Sequence, residues 1–214
     1  MPPRTSLLFS AAAAVLLALS GCEGVSLEPV PGNTQAAKDP STSQTELDGL
    51  KVVTRAGSMS GYSRDKFPHW RSTGSNCDVR DTVLKRDGRN VKTSGCNVVA
   101  GTWTSFYDGK VLNSPDKVDI DHTVPLANAW RSGASKWTTD QREEFANDLD
   151  DPQLLAVSAS SNRSKGDQDP STWKPTDTST WCEYAQDWIA VKAKWKLTVT
   201  TKEKVALEDM LGDC

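Results

Sequence analysis

At 214 residues, with 36% hydrophobic and 25% charged residues, the chain has the length and apolar content of one domain with a single core behind a short leader. Its formal net charge of −3 excludes binding to polyanions through an overall basic balance, so any such contact must rest on local clusters. Eight tryptophans and five cysteines supply apolar area and candidate cross-links.

The first 21 residues read as an export signal. Arg4 precedes an apolar run from Leu7 to Leu19 that ends in Leu19-Ser20-Gly21-Cys22, too short for a membrane span and closed by small residues. LSGC resembles a bacterial lipobox, which implies a lipidated Cys22 and a chain anchored to the extracellular face of the cell membrane by acyl groups. An ordinary secretory signal cut nearby is the alternative, and either way the chain is exported. Removal of residues 1–21 takes away only Arg4, so the formal charge falls from −3 to −4. Residues 22–50 are rich in Pro, Gly, Ser, Thr, Gln and Asn, as in a flexible tether. Residues 51–214 form the expected domain.

With Cys22 set aside, Cys77, Cys96, Cys182 and Cys214 remain, and three pairings are formally possible. Asp87-Gly88, flanked by Thr82–Arg86 and Asn90–Lys92, is a hairpin signal that would bring Cys77 beside Cys96 across a ribbon. Such a bridge stabilises by about 3 kcal/mol in the loop-entropy account. A further strand over Val98–Phe106, ending near Asp108-Gly109, would extend the ribbon into a small antiparallel sheet.

Val118-Asp119-Ile120-Asp121-His122 alternates apolar and acidic residues as a half-buried strand does. His122 is one of two histidines in the chain, the other being His69. Imidazole, with an unperturbed pKa of ~6.5, is suited to accept a proton from water, and neighbouring carboxylates suit a hard divalent cation. On a regular strand Asp119 shares a face with Asp121, as a supporting group or a solvent-facing charge. Ala127–Trp130 adds a turn, and Thr138 with Gln141 starts a helix over Asp140–Asn147. Leu154-Leu155-Ala156-Val157 reads as a second strand. It runs into serines that can cap a short helix, with Asn162, Arg163 and Lys165 near its positive end, a setting that suits phosphate.

Two helices close the chain. Thr180 with Glu183 and Thr200 with Glu203 match the capping box, starting helices over Trp181–Trp195 and Thr201–Leu211. Tyr184, Trp188, Val191 and Trp195 form the inward stripe of the first; Val205, Leu207, Met210 and Leu211 form that of the second. Packed antiparallel, they place Cys182 beside Cys214. A four-cysteine zinc site would need close C-x-x-C spacing, which is missing. The expected fold class is α+β: a ββα core over residues 117–175, a small antiparallel sheet, a C-terminal helical hairpin and two disulfides.

Taken together, DIDHTVPL, AWRSGA and LLAVSASSNRSKGDQDPSTWKP, with GYSRDKFPHW, CDVRDTVLKRDG and CEYAQDW, resemble the small secreted HNH endonucleases of the ββα-metal superfamily from about Gly61 to Cys214. Asn162 stands where the colicin-type pattern has its last histidine, and the spacing from His122 is long. This D-H…N form is similar to the HNH domain of RNA-guided nucleases, whose asparagine is a metal ligand. The resemblance implies a hydrolase of phosphodiester bonds in nucleic acid, DNA before RNA, acting as a monomer. It implies His122 as general base, Asp121 and Asn162 as ligands of Mg²⁺ (or Mn²⁺ or Ca²⁺), Arg163 or Lys165 as phosphate contact, and Asn147 as the residue that orients His122. Oxygen donors suit these ions better than Zn²⁺. His69 is expected to pack in a loop outside the site.

Local cations that could offset the acidic balance are Arg80, Lys85, Arg86, Arg89 and Lys92 on the hairpin, with Arg163 and Lys165 by the site. No base-reading module is visible, so affinity should be modest, salt-sensitive and little dependent on sequence. The rival expectation is a noncatalytic surface domain that binds Ca²⁺ or a cell-wall polymer, using Trp103, Tyr107, Trp130, Trp137 and Trp173 as an aromatic face.

Overall fold

The computed structural model describes residues Asp39–Cys214; the expected leader, Cys22 and the first part of the expected tether lie outside them. The last part of that tether is folded. Asp39 accepts a bond from the Ser41 amide at 2.9 Å and Pro40 takes the first helical position, which starts α1 (Pro40–Gly49). Although α1 is polar round most of its surface, Leu47 is completely buried in the main core. One apolar anchor recruits a segment whose composition reads as open chain.

After β1 (Val52–Val53) and a single 3-10 turn at Arg64–Lys66, β2 (Ser72–Gly74) pairs antiparallel with β3 (Cys77–Asp78). The hairpin expected about Asp87-Gly88 is not formed. Asp78 and Asp81 make a reciprocal capping box that starts α2 (Val79–Asp87), which buries Val79, Val83 and Leu84. Gly88 serves clearance rather than a turn: a Cβ there would lie 2.6 Å from the Trp103 indole nitrogen and 2.7 Å from the Leu84 carbonyl oxygen. The ribbon comes one step later, as β4 (Arg89–Ser94) and β5 (Asn97–Thr104), with β6 (Val111–Leu112) on the other side of β5. Cys77 is bonded to Cys96, so the expected pairing forms although the bridge links β3 to the β4–β5 turn.

The central pair is β7 (Val118–His122) and β8 (Leu154–Ser158), antiparallel from Val118 opposite Ser158 to His122 opposite Leu154. Between them run α3 (Leu126–Arg131) and α4 (Thr139–Ala146), the latter started by the expected Thr138–Gln141 capping box. The ends of this long excursion are stitched together: Thr123 N donates to Gln153 O at 2.8 Å, and the Gln153 amide both accepts from Val124 N and donates to Val124 O. The register at His122 is thereby insulated from the length of the insert. Then α5 (Ala159–Lys165) returns across β7, capped by Ser158 rather than by a later residue.

At the C-terminus, α6 (Trp181–Lys194), β9 (Val199–Thr200) and α7 (Thr201–Leu211) complete seven α-helices among the described residues; β9 runs parallel to β1. The Thr200–Glu203 box forms, whereas Thr180 instead donates its hydroxyl to the Asp177 carbonyl at the end of a preceding 3-10 turn. Cys182 is bonded to Cys214. Tyr184, Trp188 and Val191 are buried as expected, with Trp195 packed partly buried beside them. Val205 is half exposed, and Ala206 takes its place among Leu207, Met210 and Leu211, because the inward arc of α7 is centred one position later. Two cores flank the β7–β8 ribbon: Val118, Ile120, Leu154 and Ala156 face α2 and Trp103, whereas Leu155 and Val157 face α6 and its neighbours. The architecture is α+β.

Leu47→Ala is expected to destabilise the protein by about 2–5 kcal/mol in denaturant unfolding, the range for emptying a closed core position. A change within ~0.5 kcal/mol would show that α1 is not part of the cooperative core.

Candidate active site

Strand β7 and helix α5 meet through two matched spacings. Asp119 and Asp121 share one face of the strand; Asn162 and Lys165, three apart, share one face of the helix. Asn162 Nδ2 donates to Asp119 Oδ2 at 3.1 Å, and Lys165 Nζ donates to Asp121 Oδ2 at 2.5 Å. A carboxylate only accepts, so the amide nitrogen must be the atom facing Asp119, and the Asn162 carbonyl oxygen is turned away from it. Asp119 therefore has a partner on α5 and is not a plain solvent-facing charge.

Asp121 is buried, and its Oδ2 also accepts from the Tyr107 hydroxyl at 2.7 Å. The start of α5 is fixed by Asp108, whose Oδ2 accepts from the Ser158 and Ser161 hydroxyls at 2.8 Å each and pairs with Lys110. Burial would raise the Asp108 pKa, but Lys110 and the Ser105, Ser158 and Ser161 hydroxyls outweigh it and hold the carboxyl well below its usual range.

His122 ends β7 with 3% of its surface exposed. Its Nε2 lies 3.0 Å from the Ala146 carbonyl oxygen; since a carbonyl only accepts, Nε2 carries the hydrogen and Nδ1 carries the lone pair. Burial lowers the imidazole pKa to about 3, against the Ala146 bond, which raises it, and with the charges of Arg64, His69 and Lys165 lowering it further. The ring is thus neutral at pH 7. The Trp70 indole stacks over it at 6.0 Å between centroids and the His69 ring meets it edge-on at 6.3 Å.

Asp121, His122, Asn162 and Arg163 line one cavity of about 270 Å³, together with Tyr62 and Arg64 from the segment before β2. The structure thus gathers four of the expected residues and leaves two elsewhere. Lys165 is completely buried: its ammonium is bonded to Asp121 and to the His122 carbonyl at 2.9 Å, between the Tyr107 and Trp188 rings. Desolvation lowers its pKa, opposed by Asp121. It cannot reach a bound phosphate, so the role expected for it there is corrected.

Asn147 does not touch His122 either. Its side chain donates to the Pro68 and Glu143 carbonyls and accepts from the Arg71 amide. It clamps the loop that carries His69 and Trp70, including the positive φ of 61° at Trp70, while the neighbouring backbone at Ala146 holds the ring. His69 packs in this loop, its Nδ1 donating to Phe67 O at 2.8 Å, but beside the site.

Tyr62 and Arg64 carry no pattern of their own in the sequence beyond lying in the GYSRDKFPHW string, and Tyr107, expected only as part of an aromatic face, is instead a donor to Asp121. Of the hairpin cations, Arg80 donates to the Pro115 and Val118 carbonyls and Arg86 to Asp87 and the Leu154 carbonyl. They tie backbone together rather than form a basic face. Trp103, Tyr107 and Trp130 are buried and Trp137 and Trp173 are packed against the main core, so the aromatic surface expected for a polymer-binding domain does not exist. Tryptophan here is core.

Among the described residues no group of three or more His, Cys, Asp and Glu side chains is arranged to hold a metal ion. Two carboxylates line the cavity, and Asp167 is paired with Arg131; Asp121 and the oriented Asn162 amide are the remaining candidate donors, hard oxygens that fit Mg²⁺, Mn²⁺ or Ca²⁺.

Site and fold together define a ββα unit with an oxygen-donor pair beside a neutral histidine. Residues 75–210 match the family described as "GmrSD restriction endonucleases, C-terminal domain". The chain belongs to this family and thereby has a nuclease-family relationship. It is also 51% identical over 187 residues to an "Uncharacterized secreted protein" of Arthroderma benhamiae, covering 87% of this chain and 90% of that relative. No solved structure matches the chain significantly.

Because the folded-state pKa of His122 lies below the unfolded value of ~6.5, the unfolded chain takes up a proton first as pH falls. Stability is therefore full above about 6.5 and is lost as pH drops towards about 3, by on the order of 5 kcal/mol over that window. Urea unfolding in EDTA at pH 7 and pH 4 checks this: His122→Gln should remove most of the difference, and an unchanged difference would place the acid sensitivity elsewhere.

Proposed function

We propose that the chain is an exported HNH-type nuclease that hydrolyses phosphodiester bonds in nucleic acid, DNA first, with a histidine general base and one divalent cation. The observation that carries this reading is the convergence of Asp121, His122, Asn162, Arg64 and Arg163 on one cavity over a ββα unit. A phosphodiester is anionic and resists attack by hydroxide, so its hydrolysis needs charge neutralisation and a positioned base.

The residues supply both. The lone pair on His122 Nδ1 accepts a proton from the attacking water, and the Ala146 carbonyl, already bonded to Nε2–H, stabilises the imidazolium that forms. Burial keeps the imidazole unprotonated well below neutral pH. Arg64 and Arg163, both exposed at the cavity, hold the phosphate oxygens, as guanidinium suits. Asp119 turns the Asn162 carbonyl oxygen away from itself, so that Asn162 and Asp121 would hold the cation. When bound there, a divalent cation such as Mg²⁺ neutralises the phosphate and stabilises the leaving oxygen.

Two disulfides suit an oxidising compartment, and the relative in Arthroderma benhamiae is described as secreted. Both support export. Anchoring by a lipid on Cys22 and action as a monomer belong to the same proposal.

In a plasmid-nicking assay the protein is expected to cleave with Mg²⁺ or Mn²⁺ and to stop in EDTA, with RNA as a parallel substrate. His122→Ala should lose about 10²–10⁴-fold in rate, the usual contribution of a positioned base. Cleavage by His122→Ala at the parent rate would end the proposal.

With two guanidinium groups at the phosphate, log K against log[salt] should have a slope of about −2, becoming about −1 in Arg64→Ala. Filter binding in Ca²⁺ measures it. An identical slope in the variant would remove Arg64 from the phosphate site.

A further inference from the structure

Lys165 has three hydrogen-bond donors and no exposed surface. Two of its contacts are Asp121 Oδ2 at 2.5 Å and the His122 carbonyl at 2.9 Å, and the Tyr107 and Trp188 rings lie 5.6 and 6.0 Å from the ammonium. Tyr107 donates to the same Oδ2 at 2.7 Å. Both strong donors therefore fall on one oxygen of the Asp121 carboxylate, the oxygen that faces the protein interior. An ammonium this deep persists only because it is paired, and the pairing in turn cancels part of the charge that Asp121 offers at the cavity.

We infer that Lys165 is a built-in counter-cation: it fixes Asp121 through Oδ2, leaves one carboxylate oxygen for a divalent ion, and by its own charge weakens the binding of that ion. This rests on the reading of Asp121 and Asn162 as the cation-holding pair. Lys165 is a positioning residue, since it meets neither substrate nor solvent. Like charges held near one carboxylate repel, and low-dielectric surroundings strengthen that repulsion. The site thus stays neutralised and folded without metal, and the cation binds loosely until substrate phosphate contributes oxygens of its own.

The test is Mn²⁺ titration of the full chain, reading free Mn²⁺ by electron paramagnetic resonance, with Asp121→Asn as the control for location. Lys165→Gln keeps a donor for Asp121 but removes the charge, and is expected to bind Mn²⁺ at least tenfold more tightly than the parent. Equal or weaker binding by Lys165→Gln, with the parent binding Mn²⁺ through Asp121, overturns this inference and leaves the reading of the site intact. Failure of both parent and variant to bind overturns the two together. If Lys165→Gln does not fold alone, Mn²⁺ should restore its cooperative unfolding transition, and no metal-dependent recovery would equally sink the inference.

Discussion

The constraint on which the site depends is the fit of a helical period to a strand period at one contact. Side chains on a strand face recur every two residues, and those on a helix face every three or four. Asp119 and Asp121 on β7 meet Asn162 and Lys165 on α5 in the same order along both elements. That contact is polar throughout, so α5 is not held over β7 by apolar area. It is held because each carboxylate has one donor on α5 at the right height, and because the Asp108–Ser158–Ser161 cluster pins the beginning of the helix. A slip of one residue in β7 would turn both carboxylates to the opposite core.

Burying charge to achieve this has a counterpart elsewhere in the fold. Lys192 is as deeply buried as Lys165, and its ammonium lies 3.0 Å from Glu203 and 2.8 Å from Asn128 and Ser132. Glu203 also accepts from the Trp188 indole and caps α7. Both lysines lie within 6.0 Å of the Trp188 ring, one on the site side and one on the scaffold side. The scaffold ammonium has three further polar partners besides its carboxylate; the site ammonium has one backbone oxygen. Lys192 joins α6, α7 and the end of α3 into one body, whereas Lys165 shapes a single carboxylate.

Much of this was legible in the sequence where a signal is local. The alternation of Val118–His122, the apolar run at Leu154–Val157 and the Thr138–Gln141 and Thr200–Glu203 boxes each specify an element without help from tertiary contacts. Asp87-Gly88 misled because a strong turn dipeptide competed with a capping box nine residues upstream at Asp78, and helix nucleation with three buried apolar side chains prevailed. Lys165 was found in position but not in direction: a sequence shows that a lysine lies on α5, not that its partner waits beneath. The atom that orients His122 is a backbone carbonyl, which leaves no side-chain signature at all, so the neighbouring Asn147 attracted the role. Arg64 and Tyr107 reach the site from other segments, and only folding reveals their place there.

The acidic balance of the chain and the phosphate-handling role proposed for the cavity are compatible for a specific reason. Each carboxylate at the cavity has its own donor: Asp121 has Lys165 and Tyr107, and Asp167 is bonded to Arg131 at 2.5 Å; Asp119, two residues from Asp121 on β7, has Asn162. Paired charges contribute little field at a distance, so Arg64 and Arg163 set the local potential despite the overall sign. Such an arrangement neutralises few phosphates, and gives neither long-range capture nor tight non-specific binding. It suits the proposed hydrolysis, in which discrimination among phosphodiesters would be left to the shape of the cavity rather than to a basic surface.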